Sequence, residues 1–177
     1  KNFSGDYEGD QTIRQALIKS TNTSAVAVLR RLKAAHLVSR LRNAGIPLHL
    51  EQPDAEAGLA IGLGGAGVRL LDLTRAYTAL AQGGRVRVAR FTLSDTEEPE
   101  SRLLEADAAW AISDILADMP PPKGFVRLAA GDGGRRVAYK TGTSYGFRDA
   151  WAVGYDDQHT VGVWVGRPDG QPHLEAY

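Results

Sequence analysis

The chain has 177 residues, with 21 Lys plus Arg against 21 Asp plus Glu and no Cys. That length suits one domain with a sizeable core, and 43% apolar with 24% charged residues excludes wholesale disorder. Zero net charge argues against a protein held to nucleic acid mainly by counterion release, and the lack of Cys removes disulfides, thiolate catalysis and cysteine-held metals.

No run approaches the roughly 18 apolar residues of a membrane span. The opening Lys1-Asn2-Phe3-Ser4-Gly5-Asp6 has neither a signal-peptide pattern nor an initiator Met, and reads as the start of an excised piece. Thr12 with Gln15 three residues on is a capping box, predicting a helix through Ile13, Ala16 and Leu17. Ser20-Thr21-Asn22-Thr23-Ser24 compete with the helical backbone for hydrogen bonds, so a break is expected there. A second helix follows with Val26, Leu29 and Leu32 inward, and a third over His36–Asn43 stopped by Gly45. Residues 51–67 read as Pro- and Gly-rich loop. Val68–Ala81 reads as a helix, with Leu70, Leu73, Tyr77 and Leu80 on one stripe and Gly83-Gly84 as its stop. Val86, Val88 and Phe91 suggest a short strand, and residues 94–102 an acidic loop. Asp107 is expected to cap a helix that carries Trp110, Ile112, Ile115 and Leu116 and ends at Pro120-Pro121-Pro122.

The last third changes character. Val137–Thr143, Ala150–Tyr155 and Thr160–Gly166 are short and rich in Val, Trp and Tyr, joined by tight turns. They predict three antiparallel strands linked by hairpins. A mainly helical region over 1–130 and an antiparallel meander over 135–170 make an α+β chain.

Lys140-Thr141-Gly142-Thr143 sits at the end of the first predicted strand. An ammonium and two hydroxyls are expected to face one direction there, with Thr141 and Thr143 projecting together. Gly142 lets a substrate approach closely, and a strand-edge N–H can hold an oxyanion. The plain alternative is a solvated Lys and two Thr, which favour strands anyway. Ser20 and Asn22, at a helix break, put a proton-relaying hydroxyl beside an amide; their plain alternative is N-cap punctuation.

The two clusters together, about 118 residues apart, form two of the three parts of one catalytic set. At these residues the sequence resembles the transpeptidase domain of class A penicillin-binding proteins, and most nearly the 1C-type bifunctional subclass. The likeness extends to Asn2–Gly9 running into Arg14-Gln15-Ala16-Leu17, to Leu63–Val68 running into Leu71–Tyr77, to Tyr139–Gly154 and to Val163–Gly170. It implies the fold of penicillin-binding proteins and serine β-lactamases. It implies acyl transfer on peptidoglycan stem peptides ending in D-Ala-D-Ala, and acylation by β-lactams. By resemblance Ser20 relays a proton to the leaving amine, Asn22 positions substrate and Lys140 supplies positive potential. Thr141, Gly142 and Thr143 bind the terminal carboxylate, with the Thr143 N–H as an oxyanion donor. No cofactor, metal or nucleic acid is expected; His36, His49, His159 and His173 lack paired ligand spacing. The resemblance places the site outside the cytoplasmic membrane.

One departure matters. None of Ser4, Ser20, Ser24, Ser39, Ser94, Ser101, Ser113 and Ser144 has Lys three residues on, so the family's Ser-x-x-Lys nucleophile is not in this sequence. The chain, over 1–177, is expected to be the C-terminal part of a larger domain. The nucleophile and two further strands would lie upstream, and a final helix downstream. The meander is then left with an unpaired edge and an uncovered apolar face, and the chain alone is expected to be inactive. Two other readings stand beside this. One is a non-catalytic module that binds stem peptides or a partner through the Lys140 groove. The other is an NADP-dependent oxidoreductase, from Gly62-Leu63-Gly64-Gly65-Ala66-Gly67, with Arg85 and Arg87 for a 2′-phosphate. Trp110, Trp151 and Trp164 read as core or groove wall, Arg135-Arg136 as solvated, and Arg148 with Asp149 as a pair.

Overall fold

The computed structural model describes residues 9–50, 58–96, 98–121, 136–144 and 146–172. Asn2–Glu8, residues 51–57, Pro122, Arg135, Tyr145 and the tail from His173 lie outside the described residues.

The capping box forms as expected. Thr12 accepts from the Gln15 N–H while the Gln15 side chain accepts from the Thr12 N–H, and α1 runs Ile13–Lys19. The break is narrower than the polar cluster suggested. Only Ser20, at φ 55° and ψ 45°, and the extended Thr21 leave the helical region. Asn22 already begins α2, Asn22–Leu32. Of its expected inward residues Leu29 is buried, but Leu32 is 59% exposed. Lys33, at φ 65°, separates α2 from α3, Ala34–Asn43.

A 3-10 turn covers Leu59–Leu63, and α4 spans Leu70–Ala81 up to Gly83-Gly84, both at positive φ. The expected strand around Val86 shrinks to Arg85–Val86 (β1). Its partner, Ser101–Arg102 (β2), comes from the stretch read as acidic loop. Two-residue strands carry too little alternation to stand out in a sequence. α5 runs Ala106–Ala117 behind Glu105, so Asp107 lies inside the first turn and is not its cap. Trp110 on α5 is 70% exposed, so of core or groove wall only the second fits it.

The meander has the expected order and antiparallel pairing. β3 (Ala138–Thr143), β4 (Asp149–Tyr155) and β5 (Thr160–Gly166) pair antiparallel as β3-β4-β5. One face buries Ala138, Val153 and Tyr155. The other leaves Val161, Val163 and Val165 exposed, the uncovered apolar face anticipated from the sequence.

Among the described residues two clusters stand out in the core. Ala44, Ile46, Ala79, Val86 and Leu103 join the end of α3, α4 and the β1-β2 ribbon. Leu116, Ala117, Met119, Ala138 and Tyr155 join α5 to the sheet, with Ile18 of α1 and Tyr77 and Leu80 of α4 packed against them. Helix α4 therefore contributes to both. Arg75 pins it, donating to Asp72 at 3.1 Å, Gly45 O at 3.0 Å and Arg87 O at 2.9 Å.

Candidate functional site

Ser20 ends α1 in the left-handed region, and its N–H still donates to Ala16 O and Leu17 O. That backbone is costly for a residue with a Cβ, of order 1–3 kcal/mol, and persists only where its surroundings over-determine it. The result is an exposed hydroxyl turned out of the helix end. Lys140, in the middle of β3, meets it. Its Nζ donates to Ser20 Oγ at 2.7 Å, across 120 positions of sequence, and to Thr141 O at 2.7 Å. Burial of the lysine holds its ammonium below the ordinary lysine value. A lysine so placed against a hydroxyl can hand a proton through it.

The strand geometry corrects one expectation. Lys140 pairs with Val153 and Thr141 with Ala152 in unbroken register, so Lys140 shares a face with Ala138 and Gly142 while Thr141 and Thr143 share the other. The ammonium and the two hydroxyls do not project together.

The backbone is better placed than the side chains suggested. Ser144 N donates to Asp149 O at 3.0 Å. Bonded pairs alternate with open ones in an antiparallel ladder. Gly142 with Trp151 and Lys140 with Val153 are thus bonded pairs, and the N–H groups of Thr141 and Thr143 turn away from β4. Among the described residues β3 is an edge strand, so these donors face an open border beside Lys140.

Asn22, in the first turn of α2, lies two residues past Ser20; no hydrogen bond of its side chain occurs among the described residues. The Lys140–Ser20 bond thus brings β3 to the break between α1 and α2, beside which Asn22 lies in sequence.

Other candidates resolve differently. The glycine-rich run from Gly62 to Gly67 begins inside the 3-10 turn, not after a strand, and Gly67 bridges His49 antiparallel. A Cβ at Gly62 would stand 3.0 Å from Leu29 Cδ2 and one at Gly65 2.8 Å from Ala60, so these glycines allow close packing. The parallel strand that a dinucleotide site needs is lacking among the described residues. Asp149 accepts from Trp164 Nε1 at 2.9 Å in place of the expected Arg148 partner. Trp164 in turn lies 6.2 Å from Trp151, centroid to centroid.

Arg136, read as solvated, binds Asp114 and Asp118, and Arg14 binds the same two carboxylates. The four-residue spacing of the acids on α5 was the available signal; which cations they would meet was not in it. A cavity of about 590 Å³ lined by Trp110, Ser113, Arg136 and Tyr155 lies elsewhere and includes neither Ser20 nor Lys140.

This chain is 40% identical to penicillin-binding protein 1C of Escherichia coli over 97% of its length, and 31% identical to penicillin-binding protein 1F of Bacillus subtilis over 99%. It spans only 22% and 26% of those relatives. The PonA1 protein of Mycobacterium tuberculosis, solved in complex with penicillin V, superposes with a TM-score of 0.74 at 27% identity. That likeness covers 98% of this chain and 52% of that one. The fold is therefore the α+β fold of penicillin-binding transpeptidase domains. The family model for the penicillin binding protein transpeptidase domain matches residues 1–171, which takes in both Ser20 and Lys140, and the chain belongs to that family.

Proposed function

We propose that this chain supplies the Ser-x-Asn and Lys-Thr-Gly parts of a peptidoglycan D,D-transpeptidase site. The attacking serine comes from a Ser-x-x-Lys segment outside these residues. The observation that carries the reading is the 2.7 Å bond from Lys140 Nζ to Ser20 Oγ, which joins the two motifs.

The chemistry runs as follows. The attacking serine forms an ester with the penultimate D-Ala carbonyl of a stem peptide, and the terminal D-Ala leaves as its amine. The proton that the attacking serine loses passes through the Ser20 hydroxyl to that amine as the amide bond breaks, and Lys140 keeps the hydroxyl oriented. The Thr143 N–H, which turns away from β4, stabilises the oxyanion, an interaction worth about 3 kcal/mol of barrier. Thr141 and Thr143 hold the substrate's terminal carboxylate, and Asn22 binds the peptide carbonyl. Gly142 leaves room for the peptide to lie along β3. A second amine then attacks the ester and restores the serine. A β-lactam acylates the same serine. The substrate places the working site outside the cytoplasmic membrane; no helix among the described residues is long and apolar enough to cross one.

A second reading, a binding module without turnover, draws on the eight serines that all lack Lys at the third following position. Fluorescent penicillin separates the two. A protein joining this chain to a Ser-x-x-Lys segment takes one covalent label, lost in Lys140→Ala, whereas the 177-residue chain takes none. Labelling of any serine in the 177-residue chain overturns the assignment. Failure of the joined protein to label, with stem-peptide binding intact, favours the module.

A further inference from the structure

Ser20 and Lys140 meet at 2.7 Å, and that distance depends on how the elements that bear them are held. Ser20 ends α1, a helix of seven residues with none buried. So short a helix has no stability of its own in water and takes its position from tertiary contacts. Two side chains one turn apart on α1 meet α5. Ile18 packs against the cluster that contains Leu116, Ala117 and Met119. Arg14 spans two carboxylates, with one guanidinium nitrogen on Asp114 Oδ2 and the other on Asp118 Oδ2 at 2.5 Å.

The strand that bears Lys140 is tied to the same post. Arg136 stands two residues before β3 and donates to the other oxygen of each acid, Asp114 Oδ1 at 3.3 Å and Asp118 Oδ1 at 2.6 Å. Asp114 in the last turn of α5 and Asp118, its C-cap, are four apart and stand side by side. Each carboxylate is thus shared, Oδ2 to α1 and Oδ1 to the approach of β3. The four groups close a ring of alternating charge. The Arg14 hydrogen bond, followed by that of Arg136, keeps the Asp114 carboxyl below its ordinary value.

Exposed ion pairs taken singly stabilise little. A fork whose two arms need two fixed acceptors does something else, because its geometry is rigid. A slip of α1 by one residue turns Arg14 about 100° around the helix axis and breaks both bonds together. The same slip carries Ser20 away from Lys140.

We propose that Arg14, Asp114, Asp118 and Arg136 are positioning residues, a charged ring that uses α5 as a fixed post to set the approach of Ser20 to Lys140. The proposal rests on the reading of that pair as the working one, but its test needs no turnover. In the full chain, competitive acetylation with acetic anhydride over a pH series, read by mass spectrometry, gives the titration midpoint of each lysine. Loosening α1 uncovers Lys140. In Arg14→Ala its midpoint rises towards the ordinary lysine value while Lys19 and Lys33 keep theirs, and Arg14→Lys, with one ammonium for two acceptors, lies between. A ring that merely stabilises lowers Tm and leaves the Lys140 midpoint where it was; that result overturns the proposal. Should Arg14→Ala fail to fold, Arg136→Gln and Asp118→Asn open the ring from the other side, and an unchanged Lys140 midpoint in both overturns it equally. Because acetylation reads Lys140 directly, a failure here is distinct from a failure to bind penicillin.

Discussion

Replacing Gly142 by alanine separates a role in folding from a role in ligand approach. A Cβ built at Gly142 meets only Trp151 Cβ, at 3.9 Å, which is ordinary contact. Its φ is not in the left-handed region. Alanine there costs the fold nothing steric, and by narrowing the unfolded ensemble it adds about 0.4–1 kcal/mol of stability. A peptide laid along the open edge of β3 meets the new methyl directly. Penicillin acylation, in a protein that also carries the nucleophile segment, should slow at least tenfold, or about 1.4 kcal/mol of barrier. Gly162→Ala is the counterpart, two strands away. Its Cβ would stand 2.1 Å from Thr74 Oγ1 and 3.1 Å from Leu70 Cδ1, where β5 lies against α4. Thr74 cannot turn freely, since its hydroxyl donates to Leu70 O at 2.8 Å. Overpacking of that kind costs about 1–3 kcal/mol, with the acylation rate of the folded fraction unchanged. Guanidinium denaturation and stopped-flow acylation measure both quantities. If Gly142→Ala acylates at the parent rate, the substrate does not run along β3 and the reasoning from strand edge to binding groove is wrong.

Ser20→Ala removes the hydroxyl that accepts from Lys140 and leaves the lysine its bond to Thr141 O. Acylation should fall about 10²–10⁴-fold, the usual worth of a positioned proton relay, with little change in the concentration dependence; a fall of less than threefold or so denies Ser20 that role. Tyr77 gives a pH prediction. Burial, aided by the nearby Tyr155, pushes its phenol from 10.0 up to about 12. The unfolded chain gives up that proton first, so the contribution is complete below pH 10 and is lost as pH rises towards 12, about 3 kcal/mol in all. Lys140 acts in the opposite sense: the unfolded chain holds that proton more tightly, so stability rises as pH climbs through the lysine window. Between mildly and strongly alkaline pH the parent should therefore lose up to about 3 kcal/mol of stability relative to Tyr77→Phe, and a stability difference that does not change with pH refutes the burial argument.

The elements that could be read from the sequence are those whose signal is local. Thr12 with Gln15 announces a helix start because both partners lie within one turn. The three strands of the meander are legible because alternation and tight turns act between neighbours. Where the signal was too short or too general, reading failed. β2 has two residues and sits among acids. The polar run Ser20–Ser24 promised a long interruption, yet Asn22–Ser24 are helical because α2 is held from Leu29 on its inner side. Trp110 has the spacing of a core residue on α5 and nonetheless faces outward, since periodicity identifies a stripe without saying how wide the covering layer is.

The sequence by itself determined the chemistry on offer: a Ser, an Asn and a Lys in two motifs, a small residue at 142, and a family likeness over most of the chain. Tertiary structure decided which of these groups touch. Lys140 reaches Ser20 across 120 positions, on a strand face that Thr141 and Thr143 do not share. Arg14 and Arg136 find the same two acids, which nothing in their own surroundings in sequence required. The reason is one of range. Backbone propensity and capping act over a turn or a pleat, whereas the meeting of distant side chains follows from how helices and sheet pack to bury their apolar faces.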